Sequence, residues 1–250
     1  MIFDMFTIQI LAIFLIATLT SSTFGFGLGL IAMPLLALFT DIKTASALVA
    51  IVGLTLSIGV IFNNWRDIQF KNAGKLIISS LIGVPIGLYL LKGTQNDIMK
   101  VILALIILSF SVYKLFTPTL PSLRTDRSSY FFGFLAGIFG GAYYMGGPPV
   151  IIYASMRAWP PNIFRATLIT FFFPMSVFIL VGHFMAGNMS RQVLSLYALC
   201  IPIIILSIFL GGKFNRSIPK GKFDRLIYIL LVFIGSILLI ESVSNMIMAA

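Results

Sequence analysis

Acidic residues are scarce in this chain of 250 residues, and none of them lies in the middle of an apolar run. Seven Asp and Glu residues stand against 17 Lys and Arg residues. Asp41, Asp97 and Glu241 lie at or near the ends of apolar runs. Proton relays and cation sites inside a bilayer normally use carboxylates at mid-membrane depth. The sequence therefore argues against carboxylate relays and carboxylate cation sites in the hydrocarbon.

Cysteine and histidine occur only once each. Cys200 has no partner for an internal disulfide and is expected to be a small core residue. His183 lies near the outer end of an apolar run, where we expect a hydrogen-bonded surface group, with a proton relay as the alternative. Metal binding needs clustered ligands, and an enzyme needs a positioned nucleophile or base. We predict no metal site, no cofactor, no catalytic residue and no enzymatic activity.

Apolar residues dominate the composition, at 59% against 10% charged residues, with a mean hydropathy of +1.08. Soluble domains carry about 25% charged residues, so we predict an all-α polytopic membrane protein in a lipid bilayer. A full span needs roughly 20 residues. The second, sixth and seventh apolar runs are therefore expected to be half-helices or arms of re-entrant hairpins. The runs fall near 6–24, 25–39, 44–62, 76–91, 98–116, 130–141, 143–156, 164–182, 193–210 and 223–240.

The net charge of +10 is distributed unevenly between the loops. If the chain crosses the bilayer between successive runs, one face carries four Lys and Arg residues and the other carries 13. The positive-inside rule makes the richer face cytoplasmic and places both termini outside. The basic residues then anchor the protein in the inner membrane, and no nucleic-acid partner is expected. The four external cations are Lys43, Lys92, Lys100 and Arg191.

A polar segment at 117–129 separates the two halves of the chain. It contains Pro118, Pro121 and charged residues, which favour a solvated cytoplasmic linker. The expected units are an N-terminal transmembrane repeat at 1–116, this linker, and a C-terminal transmembrane repeat at 130–250. Each half contributes five runs, and an odd number makes the second half enter from the opposite face. We therefore predict two inverted-topology repeats.

Glycine-rich breaks interrupt the apolar runs at corresponding places in both halves. Glycine and proline unwind a helix and free backbone amides and carbonyls, which in hydrocarbon must find partners or line a cavity. Paired interrupted segments are the best sequence pointer to the binding site of a transporter, whereas the alternative is tight helix packing. The glycines are Gly25, Gly27 and Gly29 in the first break and Gly140, Gly141, Gly146 and Gly147 in the second.

The spacing of the two breaks suggests how they correspond. Aligning Gly27 with Gly141 also aligns Pro34 with Pro148, at an offset of 114 in both cases. Proline favours the first turn of a helix. We therefore expect Pro34 and Pro148 to begin the second half-helix of each pair, with the amides just before them facing the middle of the bilayer.

Five further side chains could complete a binding site. Ser22 and Thr23 carry hydroxyls beside the first break, although such groups often bond back to their own helix. Tyr143 and Tyr144 lie inside the second break, where a phenol can donate to an oxyanion, gate a pathway or cap loose carbonyls. Arg165 could attract an anion to the inner mouth or anchor a helix end. With the backbone amides, these groups suit a small anionic substrate.

At these breaks the chain resembles the TauE/SafE family of sulfite and organosulfonate exporters. The matching segments are Gly25-Phe-Gly-Leu-Gly-Leu-Ile-Ala-Met-Pro34-Leu-Leu and Gly133-Phe-Leu-Ala-Gly-Ile-Phe-Gly-Gly, followed by Gly146-Gly-Pro148-Pro-Val. The resemblance covers essentially the whole chain. It implies a secondary transporter that exports sulfite, thiosulfate or an organosulfonate by alternating access. Tyr143 and Tyr144 stand where smaller residues are common in the family, which implies a narrow or aromatic pocket.

The direction of transport leaves an alternative open. A membrane potential negative inside favours an outgoing unit negative charge by about 2.3 kcal/mol per 100 mV, which suits export. A cation-coupled importer of a small solute could use the same scaffold, because a sodium site made of backbone carbonyls leaves no trace in the sequence. The expected partners are a small anion, the lipid bilayer and, as one option, a second copy in a homodimer.

Overall fold

A computed structural model describes residues 4–64, 70–116, 123, 125–214 and 220–248 of the chain. Within these ranges, the side chains of 63–64, 70–72, 161–162, 165–166, 169, 212, 214 and 220–227 are not described.

The described residues form ten α-helices and no strand, which confirms the predicted all-α fold. The first helix begins behind Asp4, whose carboxylate accepts from the amide of Phe6 at 2.6 Å. The helices are α1 (Met5–Phe24), α2 (Leu28–Ala37), α3 (Ile42–Asn64), α4 (Phe70–Gly93), α5 (Asn96–Phe116), α6 (Ser128–Tyr143), α7 (Gly147–Met156), α8 (Pro161–Met185), α9 (Arg191–Phe214) and α10 (Lys220–Met248).

Six stretches in the described part of the chain are long and apolar enough to cross a membrane, and they lie in α1, α3, α4, α5, α9 and α10. Large apolar side chains on these helices, such as Ile82, Phe209 and Phe233, are exposed at the outside of the bundle, where lipid would cover them. The prediction of a polytopic membrane protein is confirmed.

The two shortest helices are half-helices at the centre of the bundle. Each of α2 and α7 has 10 residues, or about 15 Å at 1.5 Å per residue, half of a hydrocarbon core of about 30 Å. Every residue of α2 except Leu35 is buried. α2 packs on α1 and α3, and α7 packs on α6 and α8.

The helix boundaries repeat along the chain at a spacing that differs from the expected one. α7 (147–156) begins and ends 119 residues after α2 (28–37), and α6 ends 119 residues after α1, at Tyr143 against Phe24. The expected alignment of Gly27 with Gly141 is therefore wrong, because Gly27 corresponds to Gly146. The offset of 114 aligns glycine and proline residues in the sequence, whereas the ends of the helices repeat at an offset of 119.

The packing between the halves follows the same correspondence. α4 packs on α6 as α9 packs on α1, and α4 packs on α8 as α9 packs on α3. If α1–α5 are exchanged in order for α6–α10, the α4–α6 pair becomes the α9–α1 pair, and the α4–α8 pair becomes the α9–α3 pair. The opposite orientation of the halves in the membrane, and the boundaries of the three units, stay predictions.

Small residues bring α4 and α6 into backbone contact. A Cβ built at Gly137 would overlap the carbonyl oxygen of Ser80, and one built at Gly83 would overlap that of Phe134. Without a hydrophobic force between helices in lipid, close packing of this kind holds them together. Tight packing, the alternative reading of glycine pairs in this sequence, thus applies to the α4–α6 contact.

Candidate functional site

The first helix break is a three-residue turn between α1 and α2. Gly25 ends α1 with a φ of 84°, and its amide donates to the carbonyl of Ser21 at 2.8 Å. Gly27 has a φ of 112° and precedes the first residue of α2. Both values lie in the left-handed region that glycine adopts without a steric penalty. These two glycines therefore allow the chain to stop one helix and start the next within three residues.

The second break uses a tyrosine where the first uses a glycine. Tyr144 follows the last residue of α6 with a φ of 55°, and its amide donates to the carbonyl of Gly140 at 2.7 Å. The amide of Met145 donates to the carbonyl of Phe139 at 3.1 Å. The bond from Tyr144 to Gly140 is the left-handed helix stop, for which glycine is preferred. A non-glycine residue in this conformation is uncommon.

The start of α7 contains two prolines. Pro148 and Pro149 occupy its first turn directly after Gly147, which agrees with the expected helix start at Pro148. Pro34, by contrast, lies inside α2, so the expectation that it begins the second half-helix is wrong. Pro34 corresponds to Tyr153 in the structural repeat, and the first turn of α2 contains no proline.

The two breaks meet around one cavity in the interior of the bundle. A Cβ built at Gly29 would overlap the carbonyl oxygen of Tyr144, so the backbones of the two breaks touch. The cavity has a volume of about 40 Å³ open to the centre of a water molecule, several times the roughly 10–15 Å³ that one water requires. Its described lining is Ser21, Gly25, Phe26, Gly27, Leu28, Gly29, Leu30, Gly53, Leu56, Ser57, Val60, Tyr144, Met145, Gly147, Pro148, Ile151 and Phe172.

Backbone amides give this cavity its electrostatic character. Leu28, Gly29 and Leu30 form the first turn of α2, where amides have no acceptor within the helix. Neither α2 nor α7 has a side-chain cap at its N-terminus. Each N-terminus carries about half a positive charge from the helix dipole. The start of α7 supplies fewer donors, since prolines have no amide hydrogen.

The remaining wall comes from α3 and α8. Gly53, Leu56, Ser57 and Val60 extend the lining from the middle of α3 towards its C-terminal end, and Phe172 of α8 faces them. Apart from the Ser57 hydroxyl, these side chains are apolar. A water-poor environment strengthens the attraction between an anion and the exposed amides.

Six of the fourteen residues predicted to bind substrate line this cavity. They belong to both breaks, so the structure brings the two segments together. Binding itself is a prediction for each of them. They are Gly25, Gly27, Gly29, Tyr144, Gly147 and Pro148.

The predicted hydroxyls beside the first break lie elsewhere. Thr23 donates to the carbonyl of Leu19 at 2.7 Å, one turn back in α1, which is the alternative that the sequence left open. Ser22 packs against Gly211 of α9, where a Cβ would overlap its hydroxyl. Neither residue is among the described cavity lining.

Several residues of the second break serve helix packing. Gly141 lies against α4, where a Cβ would overlap the carbonyl oxygen of Val84. Cβ atoms at Gly140 and Gly146 would lie within about 3 Å of Met175 in α8. The hydroxyl of Tyr143 donates to the carbonyl of Met99 in α5 at 3.0 Å, as a capping phenol does. The side chain of Arg165 lies outside the described part of the structure, so its predicted role has no structural placement.

Ser57 and Gly53 are cavity residues that the sequence analysis missed. Neither belongs to a glycine-rich break or carries a charge. The repeat offers a signal, because Ser57 and Ser176 are 119 residues apart, and Ser176 hydrogen-bonds to Tyr144 while Ser57 lines the cavity with it. At the offset of 114, Ser57 and Ser176 do not align with each other, so the sequence alignment of the two halves does not show them as a pair.

His183 and Cys200 are both fully buried. The sulfur of Cys200 fits its predicted place in the core. The expectation of a surface histidine is wrong, because the two ring nitrogens of His183 bond to Ser46 of α3 at 3.1 Å and to Asn188 at 3.0 Å. These partners satisfy the ring inside the bundle, near the start of α3 and the end of α8.

Comparisons with known proteins identify a family of exporters. The family described as "Sulfite exporter TauE/SafE" matches residues 10–238. The chain is similar to the probable sulfite/organosulfonate exporter TauE of Cupriavidus necator, with 23% identity over 226 residues that cover 88% of each chain. No solved structure matches the chain significantly.

Proposed function

The chain belongs to the TauE/SafE sulfite exporter family, and on this premise we propose that it exports a small sulfur oxyanion or sulfonate by alternating access. Membership agrees with the resemblance drawn from the helix breaks. The observation that carries the proposal is the convergence of the N-termini of α2 and α7 on one cavity inside the bundle. Transporters of other families bind anionic groups at paired half-helices of this kind.

The substrate oxygens would accept hydrogen bonds from the backbone. The free amides of Leu28, Gly29 and Leu30 are the principal donors, and the hydroxyls of Ser21 and Ser57 are close enough to add two more from the cavity wall. An anion at a helix N-terminus is stabilised by both the donors and the dipole. Arg165 is proposed to draw the anion towards the site from the cytoplasm.

The size and walls of the cavity favour a compact substrate. A volume of about 40 Å³ for water centres suits an ion of a few heavy atoms, such as sulfite. The organic part of a small sulfonate could lie against Leu56, Val60 or Phe172. Polar groups buried without partners are costly, so a substrate that leaves the amides unpaired would be rejected.

Export would be driven by the membrane potential. With both termini outside and 117–129 in the cytoplasm, an outgoing anion moves down the electrical gradient by about 2.3 kcal/mol per charge per 100 mV. The matching helix contacts that the two repeats make with each other support alternating access, in which one repeat rocks against the other.

The test is transport into proteoliposomes under a potassium diffusion potential set with valinomycin. We expect labelled sulfite to move towards the positive side, and sulfate, thiosulfate, sulfoacetate and taurine to compete in proportion to their fit. Gly74→Ala is the control for glycine substitutions and should transport normally, since a Cβ there meets no atom within 4 Å. Flux that requires sodium and ignores the potential would instead support a cation-coupled importer.

A further inference from the structure

We propose that the side chain of Tyr144 is a gate that closes one half of the transport pathway, while its counterpart Gly25 leaves the other half open. This inference rests on the proposed function for the existence of a pathway. It assigns to one side chain the asymmetry between two otherwise matching repeats.

Tyr144 connects the second break to both long central helices. Its hydroxyl bonds to Ser176 of α8, Ser57 of α3 lies beside it in the cavity wall, and the residue is only 4% exposed. The ring reaches α3 at Gly53, where a Cβ would overlap the phenol oxygen. A side chain at position 53 would therefore block the tyrosine. The phenol thus ties the α6–α7 break to both walls of the pathway.

The repeat places a serine on each wall but a side chain at only one break. Ser176 follows Ser57 by 119 residues, and Tyr144 follows Gly25 by 119 residues. The two serines are thus equivalent, whereas the two break residues differ by a whole phenol side chain in volume. Where the first repeat has Gly25, which lines the cavity, the second has a phenol ring.

The cavity lies on the side that lacks this ring. α3 and α8 run antiparallel, since Ser46 near the start of α3 bonds to His183 near the end of α8. The lining on α3 extends from Gly53 to Val60, towards the end where α8 begins. Phe26 beside Gly27 stacks edge-on with Phe164 at that same end, with ring centres 6.1 Å apart.

The opposite half is filled by equivalent positions on α8. Leu56 and Val60, which are 3% and 6% exposed and line the cavity, correspond to Met175 and Ile179, which are 0% exposed and are not among its described lining. The sulfur of Met175 lies about 3.0 Å from where a Cβ of Gly140 would be. Tyr144 therefore stands at the boundary between an open half and a packed half of one pseudo-symmetric pathway.

A bound anion would act on the gate through the wall of the cavity. Ser57 lines the cavity beside the phenol. An oxyanion that accepts from Ser57 would lie against Tyr144 and weaken the closed arrangement. Because the anion then interacts differently with the closed and open states, its binding shifts the equilibrium between them.

Thiol accessibility tests the gate without any substrate. The only native cysteine, Cys200, is fully buried and is first replaced by alanine. Single cysteines are then introduced as Val60→Cys and Ile179→Cys, and a membrane-impermeant maleimide is applied to vesicles of both orientations. We expect rapid labelling of Val60→Cys from one face and protection of Ile179→Cys from both faces.

Opening the gate should expose the second cysteine. Tyr144→Gly removes the ring at a φ that glycine accepts, and we expect Ile179→Cys to become labelled from the face opposite to that of Val60→Cys. Tyr144→Phe keeps the ring without its hydroxyl, and we expect partial labelling. Tyr143→Phe is the matched control and should leave Ile179→Cys protected.

Two results would overturn the gate. One is that Ile179→Cys stays protected in the Tyr144→Gly background, although Val60→Cys in the same background is labelled and so shows that the protein is folded. The other is labelling of Ile179→Cys as fast as Val60→Cys while Tyr144 is intact. Both labelling results can be obtained whether or not sulfite is transported. Failure of the gate is therefore distinguishable from failure of the proposed substrate.

Discussion

Gly29 of α2 lies directly against the carbonyl oxygen of Tyr144, so the two helix breaks touch through their backbones. No side chain fits between them. This contact joins the two repeats at the cavity and makes the first turn of α2 sensitive to a single methyl group.

We expect Gly29→Ala to separate the two breaks and to destabilise the protein by about 1–3 kcal/mol, the usual cost of overpacking. Transport should fall with it. Thermal unfolding in detergent measures the first effect and proteoliposome flux the second. Gly74→Ala should instead be neutral or stabilising by about 0.5–1 kcal/mol, as for an unobstructed helical glycine. Equal unfolding midpoints for the two variants would contradict the contact.

Gly147→Ala should impair transport without loss of stability. A Cβ there meets only Phe172 at 3.6 Å and Ile151 at 3.9 Å, which are ordinary contacts, but it would occupy part of the cavity. We expect roughly a tenfold loss of transport efficiency, in line with one methylene in a binding pocket. Gly141→Ala is the comparison, since it overlaps a carbonyl of α4 away from the cavity and should lower stability first. Normal flux in the Gly147 variant would argue against this cavity as the binding site.

The buried bond between His183 and Ser46 should appear as a coupling energy. A double-mutant cycle with His183→Leu and Ser46→Ala isolates this pair. Interhelical hydrogen bonds in membranes contribute about 0.6 kcal/mol on average and up to about 1.7, so we expect coupling within that range. Reversible unfolding in mixed micelles is the measurement. Strictly additive effects would mean that the two groups do not depend on each other.

The ion pair between Arg157 and Asp126 should fix the polar segment between the halves to the end of α7. The Nη2–Oδ1 distance is 2.7 Å, and Arg157 also donates to the carbonyl of Leu123 at 2.9 Å. Because Asp126 is half exposed, we expect Asp126→Asn to cost only about 0.2–1 kcal/mol, and less at high salt. Lys75→Ala tests the weaker partner at 3.8 Å and should change less. The unfolding midpoints of both variants at low and high salt measure these two contributions.

The sequence predicts the helices well, because apolar length and helix-breaking residues are local properties. The apolar runs near 44–62 and 98–116 correspond to α3 and α5, and the run near 143–156 contains α7. The second and seventh runs are half-helices of 10 residues, as their length predicts, whereas the sixth run lies in α6, which has 16 residues. The family follows from the same glycine patterns.

The correspondence between repeats and the roles of single residues depend on contacts that no local pattern records. A tyrosine in a left-handed helix stop gives no sequence signal, so Tyr144 could not be matched with Gly25. Gly141 and Gly147 belong to the same glycine-rich segment, yet one packs on α4 and the other lines the cavity. His183 is buried by Ser46, which lies 137 residues earlier.

The two prolines at the start of α7 have a mechanical consequence. Without amide hydrogens at Pro148 and Pro149, most donors around the cavity belong to α2. A bound ion would be held chiefly by the first repeat and would travel with it as cargo. Under the proposed function, the second repeat would then be the frame against which the carrier moves.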